Sequence, residues 1–283
     1  MLRKATEADI QSNMDSAYQL TLDPSRSGYH IYTDGIKTKQ DFEETMWQGL
    51  RMPTRELLVF EKNGTISGWI QFFLIPEDKY LQTVLFSIEE DTAMALEEFT
   101  AYCTEKYPGF TMYLGFPGEN QTALSYLEAH GWQCDERCWN DVVHLEQYHP
   151  QTDDENIIGV TQENYNEFRM LHDNADTEMY WNSDRIYQAL DRWHIYVYYR
   201  DAKPVGAIYF QSDSNLSEIF GIDFANGIFD SDIYRNMLKK AMNVCKELGS
   251  RHLCYFNNTE SQAEALKAGF FSVGEYILYI KTV

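Results

Sequence analysis

Two stretches of this sequence repeat one pattern: ENQTALSYLEAHGWQCD at residues 119–135 and NNTESQAEALKAGFFSVG at residues 257–274. In each, an Asn is followed eleven positions later by Gly and an aromatic residue. Asn120 leads to Gly131 in the first copy, and Asn258 leads to Gly269 in the second, 138 residues further on. Asn before a helix and Gly after it are typical helix boundaries. The pattern therefore predicts one helix in each of two similar halves.

The repeat extends toward the N-terminus of each half. RELLVFEKNGTISGWIQFF (55–73) and RWHIYVYYRDAKPVGAIYFQ (192–211) both place two apolar runs around a polar turn, again 138 residues apart. Each stretch predicts a β-hairpin, with Asn63-Gly64 or Asp201-Ala202 as the turn residues, and Asn-Gly suits a tight hairpin turn best. The halves are therefore expected to share a fold.

The remaining elements follow in the same order in both halves. Thr residues in ATEAD (5–9) and VTQEN (160–164) predict helix starts, and helical periodicity covers residues 93–107 and 232–249. Short strands are expected before and after these helices. The polar segment 146–159 is interpreted as a linker, and residues 20–50 as an inserted helix and loop without a counterpart in the second half.

Composition limits the classes of function. The formal net charge of -21 opposes binding to nucleic acid or to an anionic membrane, and it is compatible with a cationic partner or simply with solubility. The N-terminus has no apolar signal region, and no apolar run reaches the roughly 20 residues that span a bilayer. Five scattered Cys suit a reducing compartment without disulfides. We therefore expect a cytoplasmic protein of unknown oligomeric state.

A metal site is not expected. Cys134, Cys138, His144 and His149 have the residue types that bind zinc, but their spacing is shorter than in the usual zinc finger. The two Cys share a face of a predicted strand with His144, which favours core thiols.

The order of elements, with an Asn-to-Gly-aromatic helix after the fifth strand, resembles the GNAT (GCN5-related N-acetyltransferase) superfamily, repeated in tandem over nearly the whole chain. The resemblance implies an α/β (α+β) protein with two acyl-CoA N-acyltransferase domains, each a mixed, mostly antiparallel sheet flanked by helices. The expected domains are residues 1–148, which look degenerate, and residues 155–283, which are favoured for cofactor binding.

Acetyl-CoA is the cosubstrate that the resemblance implies. The family's Arg/Gln-x-x-Gly-x-Gly/Ala phosphate loop is intact in neither half: the first has the acidic SIEEDTAMALEE (87–98), while the second has GIDFANGIFDSDIYRNMLKK (221–240). Asp230 and Asp232 either compete with phosphate there or cap the helix. The basic residues that follow either neutralise the phosphates of the coenzyme or form a solvent-exposed basic face. The implied cofactor-binding residues are Ile222, Asp223, Phe224, Asn226, Gly227, Arg235 and Asn258.

The resemblance also implies the chemistry. A carboxylate on the fourth strand is expected to be the base, which points to Glu218. The family Tyr seven positions after the Asn is replaced by Ala265, so Tyr234 is the substitute candidate for the acid. Tyr180, Trp181 and Asp184 are expected at the acceptor site. The acceptor itself, a small-molecule or peptide amine, is not identified by the sequence.

Two hypotheses remain open from the sequence. One is an N-acetyltransferase that passes acetyl from acetyl-CoA to a primary amine. The other is a non-catalytic pair of such domains that binds a ligand or a partner, which the altered phosphate loops and the missing Tyr favour.

Overall fold

The computed structural model describes residues 1–174, 180–212 and 215–283 and contains two compact units. The N-terminal unit comprises residues 1–138 and 273–283, and the C-terminal unit comprises residues 139–272. The helices are α1 (Glu7–Thr21), α2 (Lys39–Arg51), α3 (Thr92–Lys106), α4 (Gln121–Ala129), α5 (Tyr165–His172), α6 (Ser183–Gln188), α7 (Ser231–Glu247) and α8 (Thr259–Ala268). The strands are β1 (Leu2–Lys4), β2 (Arg55–Lys62), β3 (Thr65–Ile75), β4 (Tyr80–Ile88), β5 (Thr111–Pro117), β6 (Gln133–His144), β7 (Ile157–Gly159), β8 (His194–Arg200), β9 (Lys203–Gln211), β10 (Leu216–Phe224), β11 (His252–Asn257) and β12 (Phe271–Thr282).

In the N-terminal unit the strands lie in the order β1-β2-β3-β4-β5-β12. All neighbours are antiparallel except β4 and β5. The predicted hairpin is confirmed: Lys62 pairs with Thr65, and Asn63 and Gly64 both have positive φ. Such a turn matches the twist of the flanking strands. Apolar clusters cover both faces of this sheet, one with α3 and α4 and one with α1 and α2.

The C-terminal unit repeats this plan with the order β6-β11-β10-β9-β8-β7, in which β10 and β11 are the parallel pair. Its predicted hairpin turn also forms, between Arg200 and Lys203, with Asp201 and Ala202 at positive φ. One apolar cluster packs α7 and α8 on the sheet, and another packs α5 and α6 on the opposite face. Each unit is thus a mixed, mostly antiparallel sheet flanked by helices.

The closing strands are exchanged between the two halves of the sequence. β12, the last strand of the chain, pairs with β5 in the N-terminal unit, from Tyr276 opposite Pro117 to Thr282 opposite Thr111. The second half of β6, residues 139–144, pairs with β11 in the C-terminal unit. The two units therefore differ from the expected domains, 1–148 and 155–283, because each sheet is completed by a strand from the other half of the chain.

Three local expectations differ from the structure. The segment 146–159 is not a free linker, because Asn243 donates to the carbonyl oxygen of Gln151 and to Asp153, and β7 begins at Ile157. Residues 20–50 contain α2, whose counterpart in the second half is the shorter α6. Helix α5 begins at Tyr165 with Asn164 as its N-cap, rather than next to Thr161. No helix among the described residues is long and apolar enough to span a membrane.

Candidate functional site

The parallel strand pair in each unit separates after a few residues. In the C-terminal unit, β10 pairs with β11 from Leu216 to Ile219, and Gly221–Phe224 then pair with β9 alone among the described strands. A β-bulge at Phe220 marks the point of separation. Bulges bend a strand and commonly lie beside active sites. Beyond the bulge, one edge of β10 has no strand partner within the part of the chain that the structure describes.

The same separation in the N-terminal unit is filled by the chain itself. β4 and β5 pair only from Tyr80 to Gln82 and then diverge. Residues 26–29, here called the strap, lie in the space between them. Ser27 forms a β-bridge with Ser87, and the N–H of Ile88 donates to the carbonyl oxygen of Arg26 at 3.0 Å. The strap thus takes the strand position beside β4.

Asn120 and Gly28 fix the strap in place. Asn120, the Asn of the first repeat motif, is fully buried and donates from Nδ2 to the carbonyl oxygen of Ser27 at 3.1 Å, while its Oδ1 accepts the N–H of Ala123. A Cβ at Gly28 would lie 3.2 Å from the Cβ of Phe86 and 3.4 Å from the carbonyl oxygen of Gly115, so only a residue without a side chain fits easily. The gap in this unit is closed.

An acidic cleft of about 480 Å³ lies at the start of α3 in the N-terminal unit. Its lining includes the carboxylates of Glu89, Glu90, Asp91 and Glu119, together with Arg26. These charges oppose phosphate groups. The acidic segment 87–98 of the sequence thus contributes three carboxylates to this cleft at the start of α3.

The start of α7 in the C-terminal unit is capped by its own carboxylate. Oδ1 of Asp230 accepts the N–H groups of Asp232 and Ile233, both at 3.1 Å, and Oδ2 accepts from Arg200 at 2.8 Å. Backbone N–H groups at a helix start are the usual donors to phosphate. Asp230 occupies these donors, as one of the two interpretations of the sequence had it. Arg235, expected to contact the cofactor, is ion-paired with Asp232 and Glu264.

The other expected cofactor residues lie along the separated part of β10 and the turn that follows. Ile222, Asp223 and Phe224 pair with β9, and Asn226 and Gly227 form a turn with positive φ at both residues. Asn258 is exposed at the start of α8, where its Oδ1 accepts the N–H of Ser261 at 2.9 Å. The expected cofactor residues other than Arg235 thus lie on β10, in the turn after it and at the start of α8.

Glu218 lies half-buried on β10, just before the bulge. Its neighbours Ser217 and Ile219 are buried on the α7 side of the sheet, so alternation along the strand directs Glu218 to the other face. Phe220 lies on that face, with its ring centroid 4.9 Å from that of Trp193. Trp193 packs against Trp181 at 5.2 Å, so an aromatic row extends away from Glu218.

Tyr234 is buried in the core between α7 and the sheet, and burial raises the pKa of its phenol. Its hydroxyl has no well-oriented hydrogen-bond partner among the described residues, with Ser261 and Asn257 close by. Asp141 of β6, fully buried, accepts from Asn257 at 3.3 Å, and burial raises its pKa. The sequence analysis missed Asp141, although an Asp inside the apolar stretch CWNDVVHL is an unusual feature of a buried strand.

Residues expected at the acceptor site lie around α6. Tyr180 is covered by the guanidinium of Arg185 at 4.1 Å, and Asp184 is ion-paired with Arg169 at 2.7 Å. The carbonyl oxygen of Trp181 accepts from Nε2 of His172 at 2.9 Å. Nδ1 of the same His172 lies 2.8 Å from Oδ2 of Asp223. His172 and Asp223 were not paired in the sequence analysis because they are 51 residues apart.

The Cys and His of the rejected zinc pattern are dispersed. Cys138 is buried, as expected of a core thiol, but Cys134 is exposed, which corrects the expectation that both Cys lie in the core. His144 instead contacts His252, with 2.8 Å between their Nδ1 atoms.

Comparison with solved structures places this architecture in a known fold. A GCN5-related N-acetyltransferase from Sphaerobacter thermophilus aligns over 99% of this chain and 95% of its own, with a TM-score of 0.64 at 15% identity. A tandem GNAT protein from the clavulanic acid biosynthesis pathway aligns over 99% and 98%, with a TM-score of 0.50 at 12% identity. A glucosamine N-acetyltransferase region of a fungal multi-domain β-N-acetylglucosaminidase aligns over 99% of this chain and 38% of its own, with a TM-score of 0.60 at 10% identity.

The protein therefore has the GNAT fold. More particularly, it is a tandem arrangement of two GNAT-like units. No protein-family model matches the sequence, and no curated protein matches it. The structural matches have low sequence identity, and a shared fold by itself does not assign an activity.

Proposed function

We propose that the protein is an acetyl-CoA-dependent N-acetyltransferase and that its chemistry takes place in the C-terminal unit. The main observation behind the proposal is a difference between the two units at the point where their parallel strands separate. Beside β4 the strap takes the strand position, whereas Gly221–Phe224 of β10 keep an edge without a strand partner among the described residues. Among the described residues, the C-terminal unit is therefore the one that offers an unpaired strand edge to an extended ligand.

The edge of β10 suits the arm of coenzyme A. An extended chain containing amides can bind an open strand edge in the manner of an additional strand. Gly227 allows close approach at the turn after β10, and Asn258 stands at the start of α8. The fit is poorer at the phosphate end, because Asp230 already holds the N–H groups at the start of α7. We therefore expect most of the binding free energy of acetyl-CoA to come from contacts with the arm of coenzyme A rather than with its phosphates.

Acetyl-CoA supplies an activated acetyl thioester. Glu218 would accept the proton that the acceptor amine loses as its nitrogen bonds to the carbonyl carbon and the carbon–sulfur bond breaks. The leaving thiolate needs a proton in return. Tyr234 is the proposed donor, since a tyrosine phenol is protonated at neutral pH, and burial raises its pKa further.

The acceptor is proposed to be a primary amine bound on the face of β10 that carries Glu218 and Phe220. The aromatic row of Phe220, Trp193 and Trp181 offers ring faces, which attract cations. The indole N–H of Trp193 is buried and has no hydrogen-bond partner among the described residues, so it is available to a polar ligand group. A cationic amine also matches the net charge of -21.

Calorimetry with acetyl-CoA tests the assignment to the C-terminal unit. We expect one binding site per chain in the unaltered protein and loss of binding in Gly227→Asp, which adds a carboxylate and a strained residue at a turn with φ of 65°. Gly64→Asp is the matched control, because Gly64 also has positive φ, at 78°, with open space around it. Absence of binding at millimolar acetyl-CoA, or equal loss in both variants, would contradict the proposal.

Removal of the Asp230 carboxylate is expected to strengthen binding. Asp230→Ala frees the N–H groups of Asp232 and Ile233 and removes one negative charge, so affinity for acetyl-CoA should rise by roughly fivefold or more. Affinity for acetylpantetheine, which lacks the phosphates, should not change. The variant also loses a helix cap, and Thr6→Ala, which removes a cap at α1 in the other unit, controls for that loss. An equal gain for both ligands would show that Asp230 does not oppose phosphate.

The alternative is a non-catalytic protein that binds a ligand or partner through GNAT-like units. The specific observation in its favour is the same capping of α7 by Asp230, which occupies the donors that a pyrophosphate needs. Turnover of acetyl-CoA with any amine decides against this alternative.

A further inference from the structure

Both ring nitrogens of His172 face oxygen acceptors. Nε2 lies 2.9 Å from the carbonyl oxygen of Trp181, and Nδ1 lies 2.8 Å from Oδ2 of Asp223. A carbonyl oxygen accepts hydrogen bonds and cannot donate them, so Nε2 carries a proton. The contact between Nδ1 and the carboxylate needs a second proton, without which two lone pairs would face each other.

The pair is enclosed by protein. His172 is fully buried and Asp223 is 8% exposed. The ring of Phe168 stacks on His172 at 5.0 Å, and the ring of Tyr209 meets it edge-on at 4.9 Å. Aromatic faces stabilise a cation, and a buried charge persists when it is paired. The geometry therefore favours an imidazolium bound to a carboxylate.

Three elements meet at this pair. His172 is the last residue of α5, Asp223 lies on the separated part of β10, and Trp181 directly precedes Asn182, the N-cap of α6. Trp181 belongs to the aromatic row that begins beside Glu218. The two contacts of His172 thus link the backbone of this tryptophan to β10.

We propose that His172 and Asp223 are positioning residues that hold Trp181 at the acceptor site through a shared proton, so that acceptor binding is lost when this proton leaves. The proposal rests on the proposed function for its acceptor site. The protonation of the His172–Asp223 pair is inferred from the two contacts of His172 alone. On deprotonation the carboxylate retains the N–H at Nδ1, and the Nε2 contact with the carbonyl oxygen of Trp181 breaks.

The direction of the pH dependence follows from the surroundings of His172. Burial lowers the pKa of His172, but the hydrogen bond and charge of Asp223 and the carbonyl oxygen of Trp181 outweigh burial and raise it above its ordinary value. Asp173, the C-cap of α5, acts in the same direction, and the ring of Tyr209 contacts the imidazole from β9. The contact is therefore complete below about pH 6.5, the ordinary pKa of His, and is lost as pH rises through the raised pKa.

The first measurement is an NMR titration of the histidine rings, combined with denaturant unfolding between pH 5 and 9. We expect the His172 ring to have a raised pKa, this titration to be absent in His172→Gln, and stability to fall above that pKa. In Asp223→Asn the titration should move down by about one to three pH units, because the counter-ion is gone while an acceptor oxygen remains. His194→Gln, which removes a half-buried His of β8, should leave the raised titration in place.

Kinetics test the acceptor part separately. The KM for the amine should rise above the pH at which His172 titrates, while the KM for acetyl-CoA stays constant, and Asp223→Asn should move this rise to lower pH by the same amount. If the NMR titration shows no His172 ring with a pKa above the ordinary value for histidine, the proposed shared proton is contradicted. If the raised titration is present but the amine KM does not follow it, the positioning role is wrong. If no amine is acetylated, the proposed function and the acceptor role are both contradicted. The NMR titration still tests, independently of activity, whether His172 and Asp223 share a proton.

Discussion

Replacing Glu218 with Gln is expected to lower kcat/KM for acetyl transfer by roughly tenfold or more, because an amide cannot take the proton of the acceptor amine. The substitution keeps the size of the side chain, and Glu218 lies on β10 between its pairs with Gln211 and Cys254, so the strand should be unaffected. Affinity for acetyl-CoA, measured by calorimetry, should stay the same. The loss should shrink at high pH, where the free amine no longer needs a base.

Glu247→Gln is the matched control, since Glu247 is an exposed carboxylate at the end of α7 in the same unit. It should retain the activity of the unaltered protein. Full activity of Glu218→Gln would remove this residue from the mechanism and leave water as the proton acceptor.

Asn120→Ala is expected to destabilise the protein by about 2–3 kcal/mol, through loss of a helix cap and of a buried hydrogen bond to the strap. Both contacts are within the N-terminal unit: Oδ1 accepts the N–H of Ala123, and Nδ2 donates to the carbonyl oxygen of Ser27. Denaturant unfolding measures the loss. Hydrogen exchange should also show faster exchange at the N–H of Ile88, which donates to the strap.

Asn258→Ala provides the matched comparison in the other half of the repeat. Asn258 is exposed and caps α8, so its loss should cost only about 1 kcal/mol, while binding of acetyl-CoA should weaken. In Asn120→Ala, binding should be unchanged. Equal destabilisation in the two variants would contradict the view that the first Asn serves the strap, and weaker acetyl-CoA binding in Asn120→Ala would contradict the assignment of cofactor to the C-terminal unit.

Local signals made much of the fold predictable from the sequence. The predicted hairpins at Asn63-Gly64 and Asp201-Ala202 form, with positive φ at all four turn residues, because the conformation of a turn is set by a few neighbouring residues. The helices that follow Asn120 and Asn258 are each capped by that Asn. The repeat of 138 residues then showed that both halves have the same order of helices and strands, and this order indicated the fold class.

Features that depend on contacts between distant residues could not be predicted in this way. The strap at Ser27 meets β4 at Ser87, and neither residue has a sequence signature of strand pairing. Likewise, the sequence near His172 and Asp223 gives no sign that these residues, 51 positions apart, contact each other. For the candidate site, the sequence indicated both possible roles of Asp230, and only the hydrogen bonds to the N–H groups of α7 show that it caps the helix.

The exchange of closing strands has a consequence for biosynthesis. The ribosome makes β5 at residues 111–117, but the strand that covers its open edge, β12, ends at Thr282. Chains are synthesised at about 5–20 residues per second, so this edge waits for roughly ten seconds or more without its partner. An uncovered strand edge invites pairing with other chains. The N-terminal unit, although its first strands are made early, can be completed only after residues 271–282 have left the ribosome.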